Sequence, residues 1–122
     1  MTLDEYAAKV PLDHRLPEAS YYPPNKGFSG STNNKTLPVG TKLMRYGIEN
    51  SNSHYFAPNG STAESLSLPY GTNTQIINYY ELIQPLNVES GLAAPWFSQP
   101  GGGVQYWSEK SLQELIRLQI IK

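Results

Sequence analysis

Three consecutive glycines, Gly101-Gly102-Gly103, do most to restrict how this chain folds. Glycine loses more backbone freedom on folding than any other residue. A run of three therefore persists where the chain turns sharply or another segment comes very close. The run follows Ala94-Pro95-Trp96-Phe97-Ser98-Gln99-Pro100 and leads directly into Val104-Gln105-Tyr106. Two large aromatics, a forced turn and a carboxamide thus fall within one short stretch. Such a turn either joins two strands with Gln105 left in solvent, or aims Gln105 into a pocket.

The rest of the chain supplies strands for that turn to join. In residues 75–84, Ile76, Asn78, Tyr80 and Leu82 alternate with Ile77, Tyr79, Glu81 and Ile83. Both sets are partly apolar, so the spacing predicts a central strand covered over most of its length. Shorter strands are expected at 41–46, 54–57, 86–88 and 104–107, with turns at Leu37-Pro38-Val39-Gly40 and Pro58-Asn59-Gly60. Capping-box spacing in Thr2-Leu3-Asp4-Glu5 predicts a short helix through about Val10. The same spacing in Ser111-Leu112-Gln113-Glu114 predicts a terminal helix on which Leu112, Leu115 and Ile116 share a face. Between the first helix and the first strand, residues 11–34 are dense in Pro, Gly, Ser and Asn. They read as an extended arm with turns, anchored by Tyr21, Tyr22 and Phe28. The expected fold class is α+β and β-rich, a small antiparallel or mixed β core with short N- and C-terminal helices. It forms one domain over 1–122, with helix and arm in 1–21 and the core in 22–122.

Composition excludes several functions. The formal charge is −1 with no basic block, which predicts no electrostatic grip on nucleic acid or on an anionic membrane. No apolar run approaches the roughly 20 residues of a transmembrane helix. Met1-Thr2-Leu3-Asp4-Glu5 shows neither the basic nor the apolar region of a signal peptide. Cysteine is absent, which removes disulfides, thiolate catalysis and thiolate metal sites together. His14 and His54 stand far apart in the chain without carboxylates at ligand spacing, so no metal site is expected. No Gly-x-Ser-x-Gly elbow is present, and the glycine run lacks the Lys-Ser/Thr of a phosphate loop. Glu81, Glu89, Glu109 and Glu114 are scattered along the chain, unlike the paired acids of a glycosidase.

What remains is Arg45-Tyr46-Gly47, Tyr55-Phe56-Ala57-Pro58, Asn78-Tyr79-Tyr80 and Gln105-Tyr106. An arginine clamps phosphate, aromatic faces sandwich a flat or cationic ring, and carboxamides orient hydroxyls or a water. That inventory suits a dinucleotide. Taken singly, each residue also has a plain structural use, in a surface ion pair or as packing at a core edge.

The order of the motifs resembles the tuberculosis necrotizing toxin (TNT) domain family. The resemblance runs through Tyr22-Pro23-Pro24-Asn25-Lys26-Gly27-Phe28, Leu37-Pro38-Val39-Gly40-Thr41 and Arg45-Tyr46-Gly47. It continues through Tyr80-Glu81-Leu82, Pro85-Leu86, Ala94-Pro95-Trp96-Phe97 and Gly101-Gly102-Gly103-Val104-Gln105-Tyr106, and covers about 22–119. It implies a toxin domain that hydrolyses NAD⁺, and NADP⁺ in many members, to nicotinamide and ADP-ribose, so depleting a target cell of NAD. The dinucleotide is substrate, and no cofactor is implied. The resemblance also implies delivery into a target cell as the C-terminal part of a larger protein, action in its cytoplasm, and neutralisation by a dedicated immunity protein.

Carried over residue by residue, Gln105 and Arg45 fall on the catalytic positions, and Tyr46 and Tyr55 on aromatic positions lining the cleft. Asn78 and Tyr80 are expected on the substrate side. Two departures stand out. Asn78 replaces a histidine common in the family, and Leu66 replaces a second arginine, which bears on pyrophosphate affinity and NADP⁺ preference. An ADP-ribosyltransferase and a degenerate NAD-binding module stay open as alternatives, although Glu81 and Glu109 form no Glu-x-Glu or Gln-x-Glu pair.

Overall fold

The computed structural model describes residues 25–49, 51–68 and 72–122. The expected N-terminal helix, with Tyr21 and Tyr22 of the arm, lies outside the described residues. Six strands follow in chain order: β1 (Asn33–Leu37), β2 (Lys42–Tyr46), β3 (Tyr55–Pro58), β4 (Ile77–Glu81), β5 (Leu86–Leu92) and β6 (Val104–Trp107). They form one sheet in the order β1-β5-β6-β3-β2-β4, and every pairing is antiparallel. The core is thus β-rich and antiparallel, and the one α-helix among the described residues is α1 (Leu112–Arg117).

Strand alternation sorts the side chains into two layers. Leu43 pairs with Tyr80 and Phe56 with Tyr106, and these four pack with Leu82, Leu86, Val88, Leu112, Leu115 and Ile121 in one apolar cluster. Helix α1 covers that layer. Its start is fixed by the expected capping box, in which Ser111 Oγ accepts from the Glu114 amide while Glu114 Oε1 accepts from the Ser111 amide. Leu112 and Leu115 are fully buried, but Ile116 is 48% exposed and does not share their face. The opposite layer carries Met44 and its partner Ala57, together with Gln105. Here the cover is not a helix but the long β5–β6 connection, with Ala94, Trp96 and Phe97 buried.

Two expectations change. β4 is an edge strand, not a central one, and Tyr79 is 63% exposed on it. Its apolar alternation is explained partly by the end of the chain. Lys122 exchanges both backbone hydrogen bonds with Glu81, and Ile121 bridges Leu82, so the outer edge is capped at that end. Residues 33–37, of which 33 and 34 fall within the expected arm, form β1. Their Asn-Asn-Lys-Thr run has little strand propensity, but five register pairs with β5 hold it in place.

Candidate active site

A cleft of about 340 Å³ opens on the Met44–Ala57 layer. Residues from four parts of the chain line it: Arg45 and Tyr46 at the end of β2, Ser53 and Tyr55 at the start of β3, the segment Leu66-Ser67-Leu68, and Ala94, Phe97 and Gln105 across the glycine turn. Lys26 and Gly27 close a further side. Most of the wall is apolar, with a few polar groups converging on it, as in small-molecule sites generally.

The triple glycine places Gln105 through a close approach of two backbones. The amide of Gly101 donates to Glu64 O (3.2 Å) and that of Gly103 to Ser65 O (2.8 Å), while the Gly102 amide and Gly103 carbonyl both pair with Ala93. The 3-10 turn Glu64–Leu66 therefore lies directly against the glycines. A Cβ on Gly103 would stand 2.9 Å from the Ser65 carbonyl oxygen and nearer still to its side chain. Gln105 follows at once in β6, 9% exposed, and its Nε2 donates to the Lys26 carbonyl at 3.0 Å. A carbonyl only accepts, so the end of the carboxamide facing Lys26 is its NH₂. Gln105 therefore has an oxygen to offer as an acceptor.

Lys26 itself is held by its side chain. Its ammonium pairs with Glu89 Oε1 (2.9 Å) and stands 3.9 Å from the centroid of the Trp107 ring. Glu89 also accepts from Thr32 Oγ1 at 2.6 Å, and the Lys26 and Thr32 hydrogen bonds hold its carboxyl below the usual range. Lys26 falls within a motif of the sequence but is not expected there as a cleft residue, and Ser67 and Leu68 are not marked at all, because nothing local marks a residue brought to the cleft by tertiary contacts.

The tyrosines of the cleft are fixed at their far ends or their backbones. Tyr46 donates its hydroxyl to Ser61 O (2.7 Å), and the Tyr55 amide donates to Ser53 Oγ (3.3 Å). Tyr55 remains 40% exposed at the cleft mouth, and partial burial raises its hydroxyl pKa. Arg45 Nε donates to the Tyr55 carbonyl at 3.0 Å. Only two buried side-chain polar atoms among the described residues lack a hydrogen-bond partner, Arg45 Nη1 and Ser67 Oγ. Both belong to residues that line this cleft.

The structure does not bring Asn78 and Tyr80 to the cleft wall. Asn78 Nδ2 donates to Gly47 O at 2.9 Å, tying the start of β4 to the end of β2. Tyr80 packs edge-on against Phe56 in the apolar layer and donates to Glu49 Oε2 at 2.9 Å. Burial, then the hydrogen bond to Glu49, push its hydroxyl up to about 12, with the Arg45 charge opposing. Tyr80 thus keeps its proton and stands behind Arg45. Leu66, where the sequence departs from the family's second arginine, does line the cleft. No group of three His, Cys, Asp or Glu side chains able to hold a metal ion occurs among the described residues. No helix of the described residues is long and apolar enough to cross a membrane.

The sequence profile of the tuberculosis necrotizing toxin family matches residues 36–122. The conidial surface nicotinamide adenine dinucleotide glycohydrolase nadA of Aspergillus fumigatus is 35% identical over 128 aligned positions, which cover 93% of this chain and 52% of the fungal protein. The chain therefore spans about half the length of that relative. Tuberculosis necrotizing toxin, solved with its immunity factor IFT, is similar with a TM-score of 0.68 at 22% identity, covering 83% of this chain and 60% of the toxin chain. Rhs1-CT, solved with its cognate immunity protein RhsI1, is similar with a TM-score of 0.58 at 19% identity, covering 88% of this chain and 92% of that one. At such identities these two structures establish a shared fold.

Proposed function

The chain belongs to the tuberculosis necrotizing toxin family, and from that membership and the cleft we propose that it hydrolyses NAD⁺ to nicotinamide and ADP-ribose. One observation carries the proposal. The two buried side-chain polar atoms of the described residues without a hydrogen-bond partner belong to Arg45 and Ser67, which line one largely apolar cleft together with the buried Gln105. Buried polar groups are nearly always satisfied, so a pair of exceptions in one cleft fits a ligand that completes them.

The chemistry asks little of the protein. In NAD⁺ the nicotinamide nitrogen already carries a positive charge. The bond from C1′ of the ribose to that nitrogen breaks with its electron pair going to the ring, and nicotinamide leaves neutral. No general acid is needed. The ribose passes through an oxocarbenium-like state, a water adds to C1′, and its proton passes to solvent. Orientation alone supplies up to about 7–11 kcal/mol in well-positioned reactions. Gln105 Oε1 serves as the acceptor that orients the nicotinamide-side ribose or the attacking water. Its NH₂ is occupied by Lys26 O and cannot swing away without losing that bond. Tyr46, Tyr55 and Phe97 wall the cleft, and Arg45 supplies the fixed cation for the pyrophosphate.

The same reading extends to the setting. The domain would reach its target as the C-terminal part of a larger protein, act in the target cytoplasm, and be held in check by an immunity protein. It is supported by two solved relatives of this fold that were determined bound to immunity proteins. NADP⁺ is a second candidate substrate, and no cofactor enters the reaction.

Arg45→Ala tests the assignment of the cation. Loss of a charged hydrogen bond worth about 1.5–3 kcal/mol predicts a KM for NAD⁺ raised roughly 10- to 100-fold with a much smaller change in kcat. An unchanged KM measured by nicotinamide release would remove Arg45 from substrate binding.

A further inference from the structure

Ser67 combines three features that its place in the fold does not explain. It is 8% exposed, its hydroxyl has no hydrogen-bond partner, and it lines the cleft. It also adopts the left-handed conformation, φ 48 and ψ 57, at the end of the 3-10 turn Glu64–Leu66. That position favours glycine, which carries no Cβ penalty there.

The strain is imposed from both sides. Before Ser67, the carbonyls of Glu64 and Ser65 are pinned by the amides of Gly101 and Gly103. After it, the Leu68 carbonyl accepts from Gln99 Nε2 at 2.8 Å. The backbone is therefore held in a conformation that suits glycine, yet the chain places there a side chain whose polar atom is buried unpaired. A buried hydroxyl without a partner loses its hydration with nothing in return, so neither the conformation nor the folded state accounts for a serine. Strain and unsatisfied groups of this kind gather where a ligand makes use of them.

We propose that Ser67 is a substrate-contacting residue whose hydroxyl hydrogen-bonds an oxygen of the bound dinucleotide, a phosphate or a ribose hydroxyl. This assignment rests on the functional reading above and names a contact on a different element of the cleft wall from Gln105. It gives the segment after the glycine-docked turn a direct part in binding. Gly101 and Gly103 then position two cleft groups, Gln105 through β6 and Ser67 through Glu64–Leu66.

The test uses Ser67→Ala, with Ser67→Gly as a second variant that also removes the backbone strain. Wild type is assayed first for nicotinamide release from NAD⁺. If it releases none, the functional reading falls and the Ser67 assignment falls with it. In an active protein, Ser67→Ala is expected to raise KM about five- to tenfold while kcat stays within about twofold. Its ligand-free Tm should equal or exceed that of wild type, because an unpaired buried hydroxyl has gone. Binding of ADP-ribose, which keeps both phosphates and both riboses, then tests the contact directly. A weaker Kd for Ser67→Ala supports it, and an unchanged Kd overturns it. An active wild type with unchanged KM in both variants overturns the assignment alone. So does a lower Tm in both, which would make the hydroxyl a structural group.

Discussion

Gln105→Ala is expected to lower kcat for NAD⁺ cleavage about 10²–10³-fold while KM stays within about threefold, the pattern of an interaction made chiefly in the transition state. Gln105 is buried, and its NH₂ is engaged by Lys26 O, so the carboxamide has one orientation and presents one atom type to the cleft. An acceptor fixed in advance orients a hydroxyl or water without reorganising as charge builds on the ribose. Alanine removes that atom and leaves the Lys26 carbonyl unpaired, so stability also falls, by about 1–2 kcal/mol. A melting curve separates the two effects, since a folded variant at assay temperature isolates the catalytic loss. Gln105→Glu sharpens the result. It keeps the size of the side chain, but the ionised carboxylate has no donor for Lys26 O, so it should also be impaired at neutral pH. A Gln105→Ala variant with nearly wild-type kcat would remove the residue from the mechanism.

The second large effect is expected at Gly101. Gly101→Ala should destabilise the fold by about 2–5 kcal/mol, combining left-handed strain with overpacking. Its φ is +65, and a Cβ there would lie 2.6 Å from the Ala93 carbonyl oxygen and 2.7 Å from the Ala94 carbonyl carbon and oxygen. These are backbone atoms, and Ala93 is itself tied to Gly102 and Gly103 by hydrogen bonds, so nothing nearby can yield cheaply. Gly102 provides the internal control. Its φ is +87, but a Cβ there meets nothing within 4 Å. Gly102→Ala should therefore cost only the conformational part, about 1–2 kcal/mol. In a domain of this size the two variants should differ in Tm by several degrees or more. Equal Tm values would show that the close approach is not what requires glycine at 101.

These two residues also show which features the sequence discloses. A run of glycines has few physical uses, so it marked a close approach without a partner being visible. The partner, Glu64–Leu66, lies far back in the chain, and although Leu66 stands out as a departure from the family, nothing there signals a turn docked on the glycines. The Ser111 capping box is local chemistry and was legible to the residue. β1 was not, because Asn33-Asn34-Lys35-Thr36 owes its strand to pairing with β5 and not to propensity. β4 was legible as a strand but not as an edge, since alternation reports which faces are apolar and not which neighbours supply the cover.

The candidate site divides in the same way. Arg45, Tyr46, Tyr55 and Gln105 all line one cleft. Asn78 and Tyr80 sit close in sequence pattern to the site but turn to Gly47 and Glu49, a choice made by side-chain rotamers and distant carbonyls. Lys26 and Ser67 reach the cleft through tertiary contacts alone. Their common-looking sequence neighbourhoods carried no hint of burial or strain.

The central claim is that this cleft breaks the bond between nicotinamide and ribose and hands the sugar to water. The direct measurement incubates the purified protein with NAD⁺ and resolves the products by chromatography and mass. Equimolar nicotinamide and free ADP-ribose, with no label on any protein present, is the predicted result. No nicotinamide, or nicotinamide accompanied by ADP-ribose attached to an acceptor, would contradict it.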